Sequence, residues 1–311
     1  HTKFQSVPYI VPFDVTPKYG KTIACKIPRV GQLIHNLFIE VNLPNLTHVS
    51  EWKENCAYNL IERVQIKVGS LTLQNYTGES LKIFSEVFTK ASKQDAVNQM
   101  LGIFSTSDEQ KLYIPIIFWE GLYFPIGSVL KEDFVIYVTF APIANVLQTT
   151  DGNIQVNITQ SGTTLEVVDE STIVAAAGID ASILVHYIFD LEDRERTLFL
   201  ERSLKYIVDQ IVVIDDKVVN TPHRVEILMN QPVRTLFFTS DGKIVSAKFI
   251  FGTKNAEDTR MIKVDTMPAS YFELMQPYYH LPSIPTNTLV YSFALDIKGF
   301  EPSGAINFGK L

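Results

Sequence analysis

Apolar and polar residues alternate with a period of two along much of the chain. In 63–68, Val64, Ile66 and Val68 share one face while Arg63, Gln65 and Lys67 take the other, the pattern of a strand with one buried side. Phe134, Ile136, Val138 and Phe140 alternate with Val135, Tyr137 and Thr139, which predicts a strand partly covered on both faces. Similar runs predict strands over 33–41, 183–189, 224–229, 233–239, 244–251 and 289–297. Turn signals separate them at Pro44-Asn45, Asp151-Gly152-Asn153, Ser240-Asp241-Gly242 and Pro302-Ser303-Gly304. Two stretches carry a helical pattern instead. Over 79–100, Ile83, Phe84, Val87, Phe88 and Ala91 recur at three- and four-residue steps. A second helix is expected from Glu192 to about Leu204, where Asp190, Glu192 and Asp193 suit the positive end of a helix dipole. Many short strands with few helices predict an all-β fold of sandwiches or barrels.

Length and composition narrow this picture. The chain has 311 residues, 46% hydrophobic and 20% charged, which excludes a disordered chain and suits about two domains of ~150 residues. Residues 142–181 are poor in large hydrophobics and divide the strand-rich halves, yet no repeat at a fixed period links those halves. With 27 Lys+Arg against 34 Asp+Glu the net charge is −7. Without a basic cluster, the electrostatic footprint of a nucleic-acid binder is missing. No apolar run approaches the ~18 residues of a membrane helix. Cys25 and Cys56 read as two free thiols, and their spacing is that of neither a disulfide framework nor a metal site.

Candidate chemistry is sparse. The histidines at 1, 35, 48, 186, 223 and 280 form no HExxH or HxH pair, and no nucleophile elbow or phosphate-binding glycine loop occurs. No catalytic, metal or cofactor site is therefore expected. Asp190, Glu192, Asp193 and Glu195 are interleaved with Arg194, Arg196 and Arg202, a mixed run that reads as a solvated or interface-facing helix. Asn45, Asn75 and Asn157 begin Asn-x-Ser/Thr sequons and are candidate glycosylation positions. The 20 Phe and 13 Tyr admit a carbohydrate-binding surface, although most alternate as core residues do.

Four blocks, in order and spanning nearly the whole chain, resemble the double jelly-roll major capsid proteins of nucleocytoplasmic large DNA viruses. They are Ile27-Pro28-Arg29-Val30-Gly31-Gln32-Leu33-Ile34, with Gln32 where Asp is usual; Tyr113-Ile114-Pro115-Ile116-Ile117-Phe118-Trp119 with Gly121-Leu122-Tyr123-Phe124-Pro125-Ile126; Tyr187 to Arg196 with Phe199 and Tyr206 to Gln210; and Tyr271-Phe272, Gln276-Pro277-Tyr278, Tyr291 to Leu295, Pro302-Ser303-Gly304 and Asn307-Phe308. The motif residues suit structural work: Pro115 and Pro125 would set strand ends and limit edge pairing, and Gly304 would supply positive φ in a turn. The acidic run after Asp190 falls where a first barrel would have closed and a second begins.

The resemblance implies two consecutive eight-strand-type jelly rolls with a few short helices: a first over 1–190, with the 79–100 helix inserted, and a second over 191–311. Family chains carry an arm before the position of His1 and further strands after the last motif. Here Gly309-Lys310 replaces the usual Ser-Arg near Leu311, so the second jelly roll is expected to lack its closing strands. Loops short for the family argue against a large outward tower. The implied function is a non-enzymatic shell subunit that needs no cofactor. It would form homotrimeric pseudo-hexagonal capsomers that tile an icosahedral capsid assembled in the host cytoplasm. The implied partners are copies of itself, neighbouring capsomers, and minor capsid and penton proteins; nucleic acid is not contacted directly, and an internal membrane at most indirectly. The alternatives are a transient scaffold lattice protein of the same fold, and a jelly-roll carbohydrate-binding protein.

Overall fold

A computed structural model describes residues 3–46, 50–118, 123–149, 156–158, 166–168, 170–203, 205–251, 262–286, 288–297 and 302–308. The chain forms two compact units. The first comprises His1–Leu81 and Asp95–Val213, the second Lys82–Gln94 and Ile214–Leu311. Compactness thus divides the chain elsewhere than at residue 190. The segment after 190 stays with the first unit through side-chain ties: Gln74 Nε2 donates to Asp209 O at 2.6 Å, and Gln210 Nε2 to Thr72 O and Leu73 O, each at 3.3 Å.

Eight strands build the first unit: β1 (Gln5–Pro12), β2 (Thr22–Lys26), β3 (Leu33–Leu43), β4 (Ile61–Val68), β5 (Leu71–Thr77), β6 (Gln110–Pro115), β7 (Phe134–Phe140) and β8 (Asp180–Phe189). They form two antiparallel four-stranded sheets, ordered β1-β8-β3-β6 and β2-β7-β4-β5. First pairs with last, second with seventh, third with sixth and fourth with fifth. This nested hairpin folded into two layers is the jelly-roll topology. Two short ladders, Ser50–Trp52 with Leu147–Thr149 and Val156–Ile158 with Glu166–Val168, lie outside the set. The period-two pattern predicts the layers well: Phe134, Ile136, Val138 and Phe140 are buried and the residues between them are half-buried. Facing them, Ile39, Val41, Leu112, Ile114, Ile183 and Val185 complete the core, each full burial stabilising by ~1.5–3 kcal/mol.

The sheet edges are blunted. β1 is an edge strand holding Pro8 opposite His186 and Pro12 opposite Ser182. A strand tolerates proline where its missing N–H would face away from the neighbour, so both remove donors from the open edge. Pro115 ends β6 at another edge, as expected. Along the β5 edge, Gln210 occupies the carbonyls of Thr72 and Leu73.

The second unit repeats the nesting. Its strands are β9 (Pro232–Val233), β10 (Thr235–Phe238), β11 (Ser246–Phe251), β12 (Ile262–Pro268), β13 (Leu289–Ser292) and β14 (Ile306–Asn307). They pair β9 with β14, β10 with β13 and β11 with β12. Its core is aromatic: Phe272, fully buried, lies 5.6 Å from Phe238 and 5.7 Å from Phe249, ring centre to ring centre. The strand expected over 224–229 does not form: those residues carry no ladder and all except Ile227 and Met229 are exposed.

The helix expected over 79–100 is broken into Gly78–Phe88, a tight turn Ala91–Lys93 and Gln94–Met100. Ser283 Oγ donates to the Glu86 carbonyl at 2.8 Å and the Thr89 carbonyl at 3.2 Å, satisfying acceptors at the first helix's end. Burial raises the Glu86 carboxyl above the usual range, opposed by Lys82 and by the Thr286 N–H. The helix expected after Glu192 is shortened to Asp193–Arg196 and continues as a wider turn over Thr197–Glu201.

Cys25 and Cys56 are both free and buried. Burial pushes each thiol up to about 12, so the reactive thiolate is suppressed at neutral pH. Alkylation by iodoacetamide at about pH 8 is expected to stay slow in native buffer and to become rapid in denaturant; fast native labelling would contradict the burial. For the edges, replacing Pro8 and Pro12 together by Val should increase aggregation, read as turbidity on gentle heating; unchanged solubility would contradict their protective role.

Candidate functional site

The motif residues of the first unit gather around Tyr187, on β8. Its side chain is fully buried, and burial holds the phenol above its ordinary range, so it stays protonated and donates to the Pro28 carbonyl. A Cβ on Gly31 would lie 2.6 Å from the Tyr187 Cβ, so the glycine of the Ile27-to-Ile34 block is required by close approach. Next to it, Gln32 makes three bonds. Its N–H donates to Ile188 O at 3.0 Å, its carbonyl accepts from Gly127 N at 3.0 Å, and its side-chain Oε1 accepts from Leu191 N at 2.9 Å. The amide found where Asp is usual in the family is therefore an acceptor for the chain leaving β8.

Asp190 takes a left-handed conformation, φ 57, and turns the chain there; the short helix is instead preceded by Glu192. Glu192 Oε1 accepts from Lys3 N at 3.3 Å, tying the start of the described chain to the exit from β8. The Arg29 guanidinium donates to Leu130 O at 3.0 Å and to Glu132 O, with Asp133 3.7 Å away. Pro125 follows the isolated bridge between Ile34 and Phe124 and accepts from Ser128 N at 3.0 Å. Phe118 stands 5.1 Å from both Phe124 and Phe134, edge to face. Arg196 is exposed, with its N–H bonded to Glu192 O at 2.8 Å, and Phe199 is half-buried.

A second gathering surrounds 291–296 in the second unit. Buried Gln276 donates through Nε2 to Tyr271 Oη at 2.9 Å and accepts from Ser292 N at 3.1 Å. Pro277 lies at the start of the helix Gln276–His280 and its carbonyl accepts from Leu281 N at 2.8 Å. Ser303 Oγ bridges both backbone groups of Asp296, at 2.8 and 2.9 Å. Gly304 does not take the positive φ expected of it; a Cβ there would lie 2.5 Å from Phe293 O. Asn307 pairs with Pro232 across β14 and β9, and Pro302 is exposed.

Nearly every one of these groups satisfies a main-chain partner or packs a ring. Among the described residues no three His, Cys, Asp or Glu side chains come together as metal ligands. No helix among them is long and apolar enough to cross a membrane. Of the sequons, Asn45 is exposed and its Oδ1 accepts from Glu109 N at 2.6 Å; Asn75 is exposed on β5; the Asn157 side chain lies outside the described residues. Sequence reasoning passed over Gln32 and Tyr187 as site residues, because their roles are contacts between segments far apart in the chain.

Gly31→Ala is expected to lower stability by about 1–3 kcal/mol through overpacking, and Tyr187→Phe by about 1 kcal/mol through the lost hydrogen bond. In a Tyr187→Gly background the Gly31→Ala cost should shrink, since the colliding Cβ and ring are both gone. Denaturant titration of the four variants checks this, and additive costs would contradict the contact.

Residues 1–191 match the family described as major capsid protein N-terminus, and residues 257–311 the one described as large eukaryotic DNA virus major capsid protein. The chain is 22% identical to the major capsid protein of Pyramimonas orientalis virus, the alignment covering 100% of this chain and 82% of the relative. It is 23% identical to that of Trichoplusia ni ascovirus 2c, covering 98% and 75%. Among solved structures, PBCV-1 VP54, fitted into a reconstruction of the virophage Sputnik, has TM-score 0.77 at 19% identity, covering 100% of this chain and 83% of that one. The Faustovirus major capsid protein has TM-score 0.67 at 12% identity, covering 99% and 85%. At these identities the structures carry the fold, and it is the double jelly roll. Two nested-strand units, motif residues committed to main-chain contacts and a family match over 1–191 together place the chain in the major capsid protein family of large eukaryotic DNA viruses.

Proposed function

We propose that this chain is the structural subunit of a virion shell, working by association with copies of itself. Three copies form a pseudo-hexagonal capsomer, and capsomers tile an icosahedral lattice assembled in the host cytoplasm. The family match over 1–191 carries this reading. The geometry of the motif residues supports it, because they fix the backbone of a rigid building block. Net charge of −7 fits a shell that does not contact nucleic acid directly. Minor capsid and penton proteins complete the partner set, and an internal membrane is met at most indirectly.

Exposed apolar side chains in the second unit support copy-to-copy contact. Leu274, Met275, Tyr278 and Tyr279 lie exposed on consecutive turns, with Tyr278 74% accessible, while Phe272 and Gln276 of the same stretch face inward. Tyrosine and methionine with little charge are the composition of interface cores.

Light scattering of the purified chain at micromolar concentration should give three times the monomer mass, and a stable monomer would contradict the capsomer. Replacing Tyr278 and Tyr279 by Asp should weaken that association by about 2 kcal/mol or more, roughly 30-fold in the dissociation constant. An unchanged constant would remove these tyrosines from the contact.

A further inference from the structure

The pairing of β3 with β8 is interrupted once. Asn36 stands opposite His186, and the next pair is Ile34 with Tyr187, so His35 is the extra residue of a β-bulge. A bulge sets two side chains against one on the facing strand and re-aims them. Here His35 and Asn36 are both exposed while Ile34 and Leu37 on either side are buried. Two imidazoles from strands far apart in sequence are thereby brought to one outer sheet face, where regular alternation would have turned one of the two neighbouring residues inward.

The pair has aromatic surroundings. Tyr123 stacks on His35 with ring centres 4.9 Å apart, and Phe38 meets His186 edge to face at 5.9 Å. From β1, the residue opposite His186 is Pro8, which carries no charge. From β3, the facing groups are His35, Asn36 and Phe38; the nearest acidic group along that face, Glu40, is bound to Lys111 at 2.7 Å. On β8 itself the same-face neighbours are half-buried Leu184 and buried Ile188, neither of them charged. Among the described residues, then, the titratable group acting on His186 is His35, on which Tyr123 stacks, and no carboxylate pairs with either imidazole.

We propose that the bulge at His35 is an acid-sensitive joint in the first jelly roll: when both imidazoles carry protons, two positive charges meet on one sheet face and weaken the pairing of β3 with β8. The joint sits one residue from Tyr187, so loosening it also loosens the anchor that holds Pro28 and Gly31. Burial, and then positive charge on His35, hold His186 below its ordinary value of 6.5. The unfolded chain therefore takes up this proton at a higher pH than the folded one. Stability from this source is full above the ordinary histidine range and falls as the pH drops through it. A shell built on such a joint stays closed at neutral pH and softens in a mildly acidic compartment.

Thermal unfolding of the chain between about pH 8 and pH 5 tests this directly. The unmodified protein should lose midpoint temperature as the pH falls, and His186→Gln should remove roughly half of that loss or more, because its amide cannot be protonated. Other acid-sensitive groups are common to both proteins and cancel in the comparison. Amide exchange over 182–188, corrected for intrinsic rates, should rise on acidification in the unmodified protein and stay level in the variant. Should His186→Gln fail to fold, His35→Gln serves, since it removes one of the two charges and should also flatten the profile. Parallel pH profiles for the unmodified protein and a folded variant would overturn the proposal.

Discussion

The first unit depends on one placement: the last strand, β8, lies between β1 and β3. Its register joins Gln5 to Phe189 on one side and Ile39 to Ile183 on the other, so a sheet whose members come from opposite ends of the unit is zipped by a single segment. The other pairs lie inside this closure, down to the local β4–β5 hairpin. Each doubling of an enclosed loop adds only ~0.6 kcal/mol of closure entropy. Nesting therefore burdens the folding rate more than the final stability. The outermost pair is held by its ladder from Gln5 to Pro12 and by Tyr9 against Tyr187, and Tyr187 also ties β8 to the segment before β3 through the Pro28 carbonyl and Gly31. The family-motif residues of the first half make sense from this point outward.

The second unit solves the same topological problem with other residues. Its three nested pairs surround an aromatic cluster of Phe238, Phe249, Phe272 and Tyr291, where the first unit uses mainly aliphatic strands. Gln276 does there with a side-chain hydrogen bond what Tyr187 and Gln32 do in the first unit, binding the main chain of another segment, while Ser303 closes a local loop on Asp296. Nesting is set by turns and register, so two units can share it without sharing a sequence. That explains why the chain shows no readable repeat.

Strands with a dry face were legible in the sequence, because burial itself imposes the period of two; Phe134–Phe140 is the clearest case. The same pattern misled at 224–229, where the residues alternate but have no ladder to join and lie mostly exposed. The 79–100 helix was legible as a stripe, but its break was not, since Ser283 lies far along the chain from the carbonyls it occupies. Pairing partners for Gly31, Gln32 and His35 were invisible for the same reason. Gly304 was legible as a special position with the wrong cause: contact with Phe293 O, not positive φ, demands it. Function came from motif resemblance alone, as a subunit whose work is assembly leaves no cluster of reactive side chains to find.

The proposed role makes this chain a permanent wall component rather than an enzyme or a passing scaffold. Quantitative mass spectrometry of purified mature particles tests it most directly. Peptides from this chain are expected to rank among the most abundant and to stay with the particle after washing in high salt. Mature, infectious particles that lack the chain would contradict it.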